Sequence, residues 1–378
     1  MPSTIVPIIR TSDRQMFKTC RQKWDFGSKM RQNYELIGGV KALDFGSAVH
    51  AGLEAFYNPI TWKDREAKEA MAILAFNKLV GEHRKQSLTI NGVLQTELAL
   101  ELETDFAERK LLGETMLDYY FDYSAIEDKE IEPVKTEIEF EVPIYVPRGM
   151  YGHYNLRYLD FTFDDSDGIL KYQRKPVMYQ GRVDLLWQNT RTRKYAVVDH
   201  KTTAQFGQYQ HLVLDEQVSS YDWALTHMLR LDIDRVIFNQ LRKALAHEPK
   251  ILKSGALSQD KGQNTTTKLY MKAIEENGFK VEDYQDFLNF LAEQPKEYIR
   301  RIEIKRNEYQ RKQQGIRVFQ EAVEMLGNPN IYPSPSAMNC NGCWFYNPCV
   351  ATNDGGDVQY FLDELYTKRK EVEPDGQE

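Results

Sequence analysis

The segment GRVDLLWQNTRTRKYAVVDHKTT, residues 181–203, decides how this chain is read. Two apolar runs flank the polar stretch NTRTR, the pattern of two strands joined by a tight turn. Residues two apart on a strand share a face, so Asp199 and Lys201 stand side by side where an apolar strand leaves the core. If the hairpin folds about Arg191 and Thr192, Asp184 falls opposite Asp199, with Lys201 near Arg182. Two carboxylates at that range repel, and a divalent cation between them relieves the repulsion. Hard oxygen ligands suit Mg²⁺ or Mn²⁺. A lysine beside such an ion is placed to hold a water nucleophile or to stabilise charge growing on a phosphate. The chemistry suggested is metal-assisted phosphodiester hydrolysis. The plainer alternative is an ion pair, Asp199 with Lys201, at a strand end.

Outward from this hairpin the periodicity changes in blocks. Residues 11–26 predict a short helix with a start signal at Ser12, and 43–57 a second, with Val49, Leu53 and Phe56 at helical spacing. Residues 61–123 read as helical. KTEIEFEVPI (135–144) alternates as a strand does, LDEQVSSYDWALTHML (214–229) is helical, and DRVIFNQLRK (234–243) is a further strand. Residues 245–268 look irregular, and helices are expected from about 269 to 326. Helix, strands, helix, strand is the order of an α/β fold with a mixed central sheet flanked by helices.

The chain of 378 residues, 42% apolar and 28% charged, is long enough for a large core. No run of apolar residues is long enough for a membrane span, and the first residues do not read as a signal peptide, so a cytosolic protein is expected. The net charge of −7 argues against coating nucleic acid by bulk charge and leaves room for a local basic groove. Four lysines and one acid occur from Lys250 to Lys268, and KRNEYQRKQQGIR (305–317) is a second basic run. Either supplies phosphate contacts, or they are a flexible loop and a solvated helix face. The acidic end, 351–378, reads as a short helix and a frayed tail.

Four short patterns occur in order: GSAVH (46–50), GRVD (181–184), DHK (199–201) and QVSSY (217–221). Together they resemble the GxxxH, GxxD, acid-x-Lys and QxxxY motifs of the RecB-like branch of the PD-(D/E)XK nuclease superfamily. The resemblance implies a restriction-endonuclease-like sheet, with residues 1–350 as the nuclease domain, 58–130 as a helical insertion and 245–330 as a basic loop and helical region. It implies metal ligands at His50, Asp184, Asp199 and the backbone carbonyl of His200. Lys201 is then the catalytic lysine, with Gln217 and Tyr221 sharing a helix face toward it. Asp stands where Glu is commoner in the acid-x-Lys motif, and no proline precedes Asp184. The side chain of His200 points away from Asp199 and is not read as catalytic. Taken alone, His50 is more simply a core histidine, and Gln217 with Tyr221 a half-exposed pair.

Cys340, Cys343 and Cys349 form a close triplet far from Cys20. A zinc site more often shows two close pairs, whereas one distant thiolate plus three is compatible with a [4Fe–4S] cluster. The arrangement is similar to that of the iron–sulfur RecB-like nucleases, the CRISPR-associated exonucleases and the AddB nuclease end. It implies a clasp at 331–350 joining the N- and C-terminal segments, with Trp344, Phe345 and Tyr346 packed over it. Zinc, or unrelated reduced thiols, are the alternatives. The resemblance implies a DNA exonuclease acting on single strands or free ends, 5′ to 3′ favoured, in a bacterial cell or phage-encoded. A structure-specific endonuclease and a DNA-binding adaptor of a recombination complex are the other readings. No Walker A motif occurs, so a helicase partner would be another chain.

Overall fold

A computed structural model describes residues 8–37, 41–90, 93–94, 99–147, 162–163, 177–293, 297–327 and 329–369. In chain order its elements are β1 (Ile8–Arg10), α1 (Thr11–Thr19), α2 (Arg21–Gly27), β2 (Tyr34–Leu36), α3 (Lys41–Phe56), α4 (Arg65–Leu88), β3 (Thr89–Ile90), β4 (Val93–Leu94) and α5 (Ala99–Glu127). Then come β5 (Ile131–Pro143), β6 (Tyr145–Val146), β7 (Thr162–Phe163), β8 (Met178–Asn189), β9 (Tyr195–Thr203), α6 (Glu216–Leu229) and β10 (Ile233–Arg242). The chain continues through α7 (Thr267–Glu276), α8 (Gln285–Glu293), β11 (Ile299–Ile304), α9 (Glu308–Leu326), α10 (Ala337–Cys340), α11 (Tyr346–Asp354), α12 (Val358–Leu365) and β12 (Tyr366–Lys368).

The expected α/β architecture with a mixed central sheet is present. Its order is β1-β8-β9-β10-β11, with β5 pairing β8 along the other side. β9 turns back antiparallel on β8, with Leu185 opposite Val198 and Gln188 opposite Tyr195, which is the register of a hairpin folded about Arg191 and Thr192. α6 then crosses over, so β10 runs parallel to β9. Because both faces of β9 and β10 are covered, their side chains alternate between two cores rather than between core and water. Val197, Val236 and Phe238 pack with residues of α1, α6 and α9. Ala196, Val198 and Ile237 pack with α3, α4 and α5.

Several details differ from the expectations. Helix 11–26 is broken at Cys20, whose backbone is extended. α1 starts at Thr11 rather than from Ser12, and the Asp13 carboxylate accepts the Arg10 amide hydrogen at 3.0 Å. The stretch expected to be helical from 269 to 326 contains the strand β11, whose residues pair antiparallel with β10. IRRIEI does not alternate: its isoleucines fall at 299, 302 and 304, so it carries no period-two signal. The acidic end does form a helix, and β12 after it pairs with β2 instead of fraying; residues 370–378 lie outside the described residues. Residues 245–268 are largely irregular as expected, with one tight hairpin closed by the Ile251–Leu257 bridge. Leu257 anchors that hairpin in a small separate core with Tyr270, Ile274, Tyr284 and Phe287. Among the described residues no helix is long and apolar enough to cross a membrane.

β8 has two partners along one edge. Its first residues, Met178 to Gln180, pair parallel with β1. Its last, Leu185 to Gln188, pair with β9. Between them β8 and β9 diverge, and Gly181 lies in the gap. A Cβ there meets Phe140 Cζ at 2.3 Å and Thr11 Oγ1 at 2.6 Å, so only glycine fits. A Cβ on Gly46 meets nothing nearer than Thr202 Oγ1 at 3.5 Å, an ordinary contact. Gly181→Ala is therefore expected to destabilise the fold by about 1–3 kcal/mol, whereas Gly46→Ala leaves it nearly unchanged; urea unfolding of the two variants checks the contrast.

Candidate active site

Where β8 and β9 part, the backbone no longer pairs strand to strand, and side chains take over. The Asp184 carboxylate accepts the backbone N–H of His200 at 2.6 Å across the fork. His50, on α3, places Nδ1 3.5 Å from the same carboxylate oxygen. On β9 the Lys201 ammonium donates to Asp199 Oδ1 at 3.1 Å and lies 2.8 Å from Oδ2. On α6, Gln217 Nε2 donates to the Tyr221 hydroxyl at 2.6 Å and lies 3.4 Å from Asp199 Oδ1. One helical turn separates Gln217 from Tyr221, so both reach the same spot. The Asp215 side chain caps α6 by accepting the Val218 amide hydrogen, which sets where that turn begins. Arg182, expected near Lys201, turns to the other side of β8 and pairs with Glu137 at 2.7 Å.

The two carboxylates differ in their surroundings. Burial pushes Asp184 up, but the hydrogen bond and charge of His50 and the contacts of His200 outweigh it and hold the group down at about 2. Asp199 is pushed up to about 6 by burial, opposed by Lys201 and reinforced by the negative charge of Asp184. Burial acts against the Lys201 ammonium, yet Asp199 raises its pKa, so it stays protonated. Asp199 Oδ2 is buried and receives no aligned hydrogen bond. Its charge is met by the Lys201 ammonium at 2.8 Å, and the neighbouring Asp184 charge is what a further cation would relieve.

A further acid enters that the sequence did not single out. Glu137 sits at a kink of β5 with φ 45°, where the pairing with β8 passes from Thr136–Leu185 to Ile138–Val183. Burial raises its pKa, Arg182 opposes, and the charges of Asp184 and Glu54 add to the rise. Glu137, Glu139 and Glu141 alternate identically in sequence, so nothing there distinguishes the one that turns toward the site. Among the described residues no three His, Cys, Asp or Glu side chains are already closed around a metal position.

Below the site, on the opposite face of the sheet, runs a buried polar row. Arg301, Asn239 and His200 are neighbours across β11, β10 and β9. Asn239 Nδ2 donates to His200 Nδ1 at 2.8 Å and to the Tyr120 hydroxyl at 2.9 Å. Arg301 reaches both Asp128 oxygens and the Tyr120 hydroxyl, and Tyr57 donates to Asp128 at 2.7 Å. Burial lowers His200 to about 3, so its ring is neutral and Nδ1 accepts. The reading that this imidazole faces away from Asp199 agrees with its place in the row.

Of the two basic runs, Lys250, Lys253, Lys261 and Lys268 are exposed. In the second, Arg306 donates to Ser219 and to the carbonyls of Leu212 and Asp215. Arg311 binds Asp222 and the Ile233 carbonyl. These two arginines pin α9 to α6, so they are not free phosphate contacts. At the chain ends, none of the four cysteines forms a disulfide. The Ser334 amide donates to Cys20 Sγ at 3.4 Å. The Cys349 thiol is pushed up by burial and then by the thiols of Cys20, Cys343 and Cys340. Phe345 is buried between Phe26 and Tyr366 and Trp344 lies under Lys23, but Tyr346 is exposed rather than packed over the cysteines.

A model of the PD-(D/E)XK nuclease superfamily matches residues 11–350. No curated protein matches the chain. Among solved structures, that of SSO0001 is similar over 67% of this chain and 75% of its own, at 13% identity and a TM-score of 0.28, a likeness too slight to bear on the site.

The opposed shifts of the two aspartates carry a sign. Asp184, held down, contributes stability that is complete above about 3.8 and lost as pH falls toward 2. Asp199, pushed up, costs stability as pH rises from about 3.8 to 6 and the buried group ionises. Metal-free protein is therefore expected to lose on the order of 2 kcal/mol over that window, and Asp199→Asn to abolish the loss. Thermal unfolding in EDTA between pH 4 and 7 reads both.

Proposed function

The chain belongs to the PD-(D/E)XK nuclease superfamily, and from that premise we propose that it is a divalent-metal-dependent deoxyribonuclease. The observation that carries the reading is the fork itself: Asp184 and Asp199 on diverging strands, both carboxylates near each other, with Lys201 against the buried Asp199. Two carboxylates close enough for Asp184 to raise Asp199, both oxygen donors, fit Mg²⁺ or Mn²⁺. Asp184, Asp199, His50 and the His200 carbonyl are the residues that would hold the ion. Bound there, it supplies positive charge that polarises a phosphoryl oxygen.

The protein's own groups have distinct tasks in this reading. Lys201 is protonated and is therefore a charge stabiliser and water-orienting donor, not a base. Gln217 holds Asp199 and Tyr221 in one arrangement and limits where the Lys201 ammonium can sit. His50 and the His200 amide fix the Asp184 carboxylate in the fork. An exonuclease acting on single strands or free ends, 5′ to 3′, is the finer reading, supported by the motif order and the resemblance to iron–sulfur RecB-like enzymes. A helicase or recombination complex is the partner that resemblance suggests.

The test is incubation of purified protein and Lys201→Ala with Mn²⁺ or Mg²⁺ and end-labelled single- and double-stranded DNA. Wild type shortens DNA from one labelled end, and Lys201→Ala is slower by about 100-fold or more. Mn²⁺ raises the melting temperature of wild type and does so less for Asp199→Asn. A wild type that cuts no DNA under any of these conditions removes the reading.

For the cysteines we propose a [4Fe–4S] cluster held by Cys20, Cys340, Cys343 and Cys349. The support is the motif order and the resemblance to iron–sulfur RecB-like enzymes, with Cys20, Cys340 and Cys343 all near enough to Cys349 to raise its thiol; among the described residues no three of the thiols already surround a metal position. The cluster would brace a junction that already joins the chain ends through Phe26, Phe345, Leu362 and Tyr366 and through the β2–β12 pair. Protein purified without oxygen is expected to be brown with broad visible absorbance, and Cys343→Ser to be colourless. Colourless wild type containing stoichiometric zinc assigns the thiols to zinc instead.

A further inference from the structure

We propose that the turn joining Lys201 to Gln217, together with Arg300, is a stacking surface for an unpaired DNA strand at the mouth of the site. The proposal rests on the nuclease reading for its substrate and on separate observations for its place. Within six residues of this turn three large side chains face water: Tyr209 is 51% exposed, Val213 57% and Leu214 80%. Scattered exposed apolar residues need no explanation, but a group of them beside a polar site does.

The chain places this group at the site. Leu214 precedes Gln217 by three residues, and Gln217 lies against Asp199. At the other end, Thr203, two residues after Lys201, donates its hydroxyl to the Gln205 carbonyl at 2.6 Å. The turn is held in place from below. Leu212 is buried in the core of α6 and α9, its carbonyl accepts from Arg306, and its amide bonds back to the Tyr209 carbonyl. The exposed side chains are thus presented by a braced backbone, which lowers the ordering cost of binding.

A cation lies beside the patch. Lys201, Gln240 and Arg300 are neighbours across β9, β10 and β11, so Lys201 and Arg300 share the site face about 10 Å apart. Arg300 stacks 4.3 Å over the Phe206 ring, bonds the Gly207 carbonyl at 3.3 Å and pairs with Glu297. An aromatic face and an apolar ledge on one segment, tied through Phe206 and Gly207 to a guanidinium, match what a single strand offers: bases with unpaired π-faces and a phosphate at each step. A duplex presents its bases edge-on along its length and offers only its terminal pairs to Tyr209. A protein partner would cover the apolar ledge but gives no reason for the track to begin at the catalytic lysine.

The experiment measures binding by fluorescence anisotropy in the Lys201→Ala protein with EDTA and no divalent metal, with a labelled mixed-sequence single strand and the matching blunt duplex. Tyr209→Ala is expected to weaken single-strand binding about tenfold and to leave duplex binding within about twofold. Tyr209→Phe is expected to keep the affinity, since it keeps the ring. Leu214→Ser with Val213→Ser weakens single-strand binding in the same direction. A 2-aminopurine base in the strand is quenched by the parent and not by Tyr209→Ala. Unchanged single-strand affinity in Tyr209→Ala, or equal losses on strand and duplex, overturns the proposal and leaves the ledge to a protein partner. If wild type hydrolyses no DNA while Tyr209 still governs single-strand affinity, the hydrolysis reading falls and the surface stands.

Discussion

The structure around the site depends on one constraint: β8 cannot pair with β9 and β1 over the same residues. β9 takes the last part of its edge and β1 the first, so the two strands of the hairpin must separate between them. Backbone groups left at such a separation need partners. Here the Asp184 side chain accepts the His200 amide hydrogen that a continuing strand would have met. The same divergence opens the sheet edge to His50 from α3 and brings Glu137 round on the kinked β5. The acidic site is thus a consequence of how three strands share one edge.

The fork holds its shape because the sheet beneath it is rigid and polar. The row Arg301, Asn239 and His200 ties three strands together, and Tyr120 on α5, with Tyr57 and Asp128 just past the ends of α3 and α5, closes it. Tyr57 follows His50 by two helical turns, so a contact that fixes Tyr57 also fixes how α3 lies over β9. Arg301 and Asp128 form a buried charged pair in which each oxygen and most donors are matched. Breaking such a pair on one side is worth about 3–5 kcal/mol, whereas the intact pair adds little net stability. Its effect is to permit one arrangement of helix and sheet.

The ends of the chain form a separate junction. Cys20 interrupts what would be one helix, and the break lets α2 turn toward the segment before α10, where the Gln22 amide donates to the Tyr332 carbonyl. Phe26, Phe345, Leu362 and Tyr366 supply the apolar contact, and β12 adds a strand to β2. α1 begins immediately after β1, and the Arg14 guanidinium on it reaches Ser220 on α6 and Glu321 on α9. Closure of the ends is thereby connected to the helix that carries Gln217 and Tyr221.

Local pattern was enough for the hairpin and its register, because alternation with a short polar turn leaves few other pairings; it did not show that the strands part beyond Leu185 and Val198, so that Asp184 meets the His200 amide. It was enough for Gln217 and Tyr221 as well, since a spacing of four on a helix puts two side chains on one face whatever surrounds them. Glu137 was not legible: three alternating acids look alike until β5 kinks against β8. β11 was hidden because IRRIEI, with its charges on an edge strand, carries no period-two signal. The buried row was beyond reach for a different reason. Tyr57, Asp128, Asn239 and Arg301 come from four distant segments, and each alone reads as an ordinary surface or turn residue. Only the folded sheet brings them into one low-dielectric space, where an unpaired polar group is costly and a fully matched set is retained.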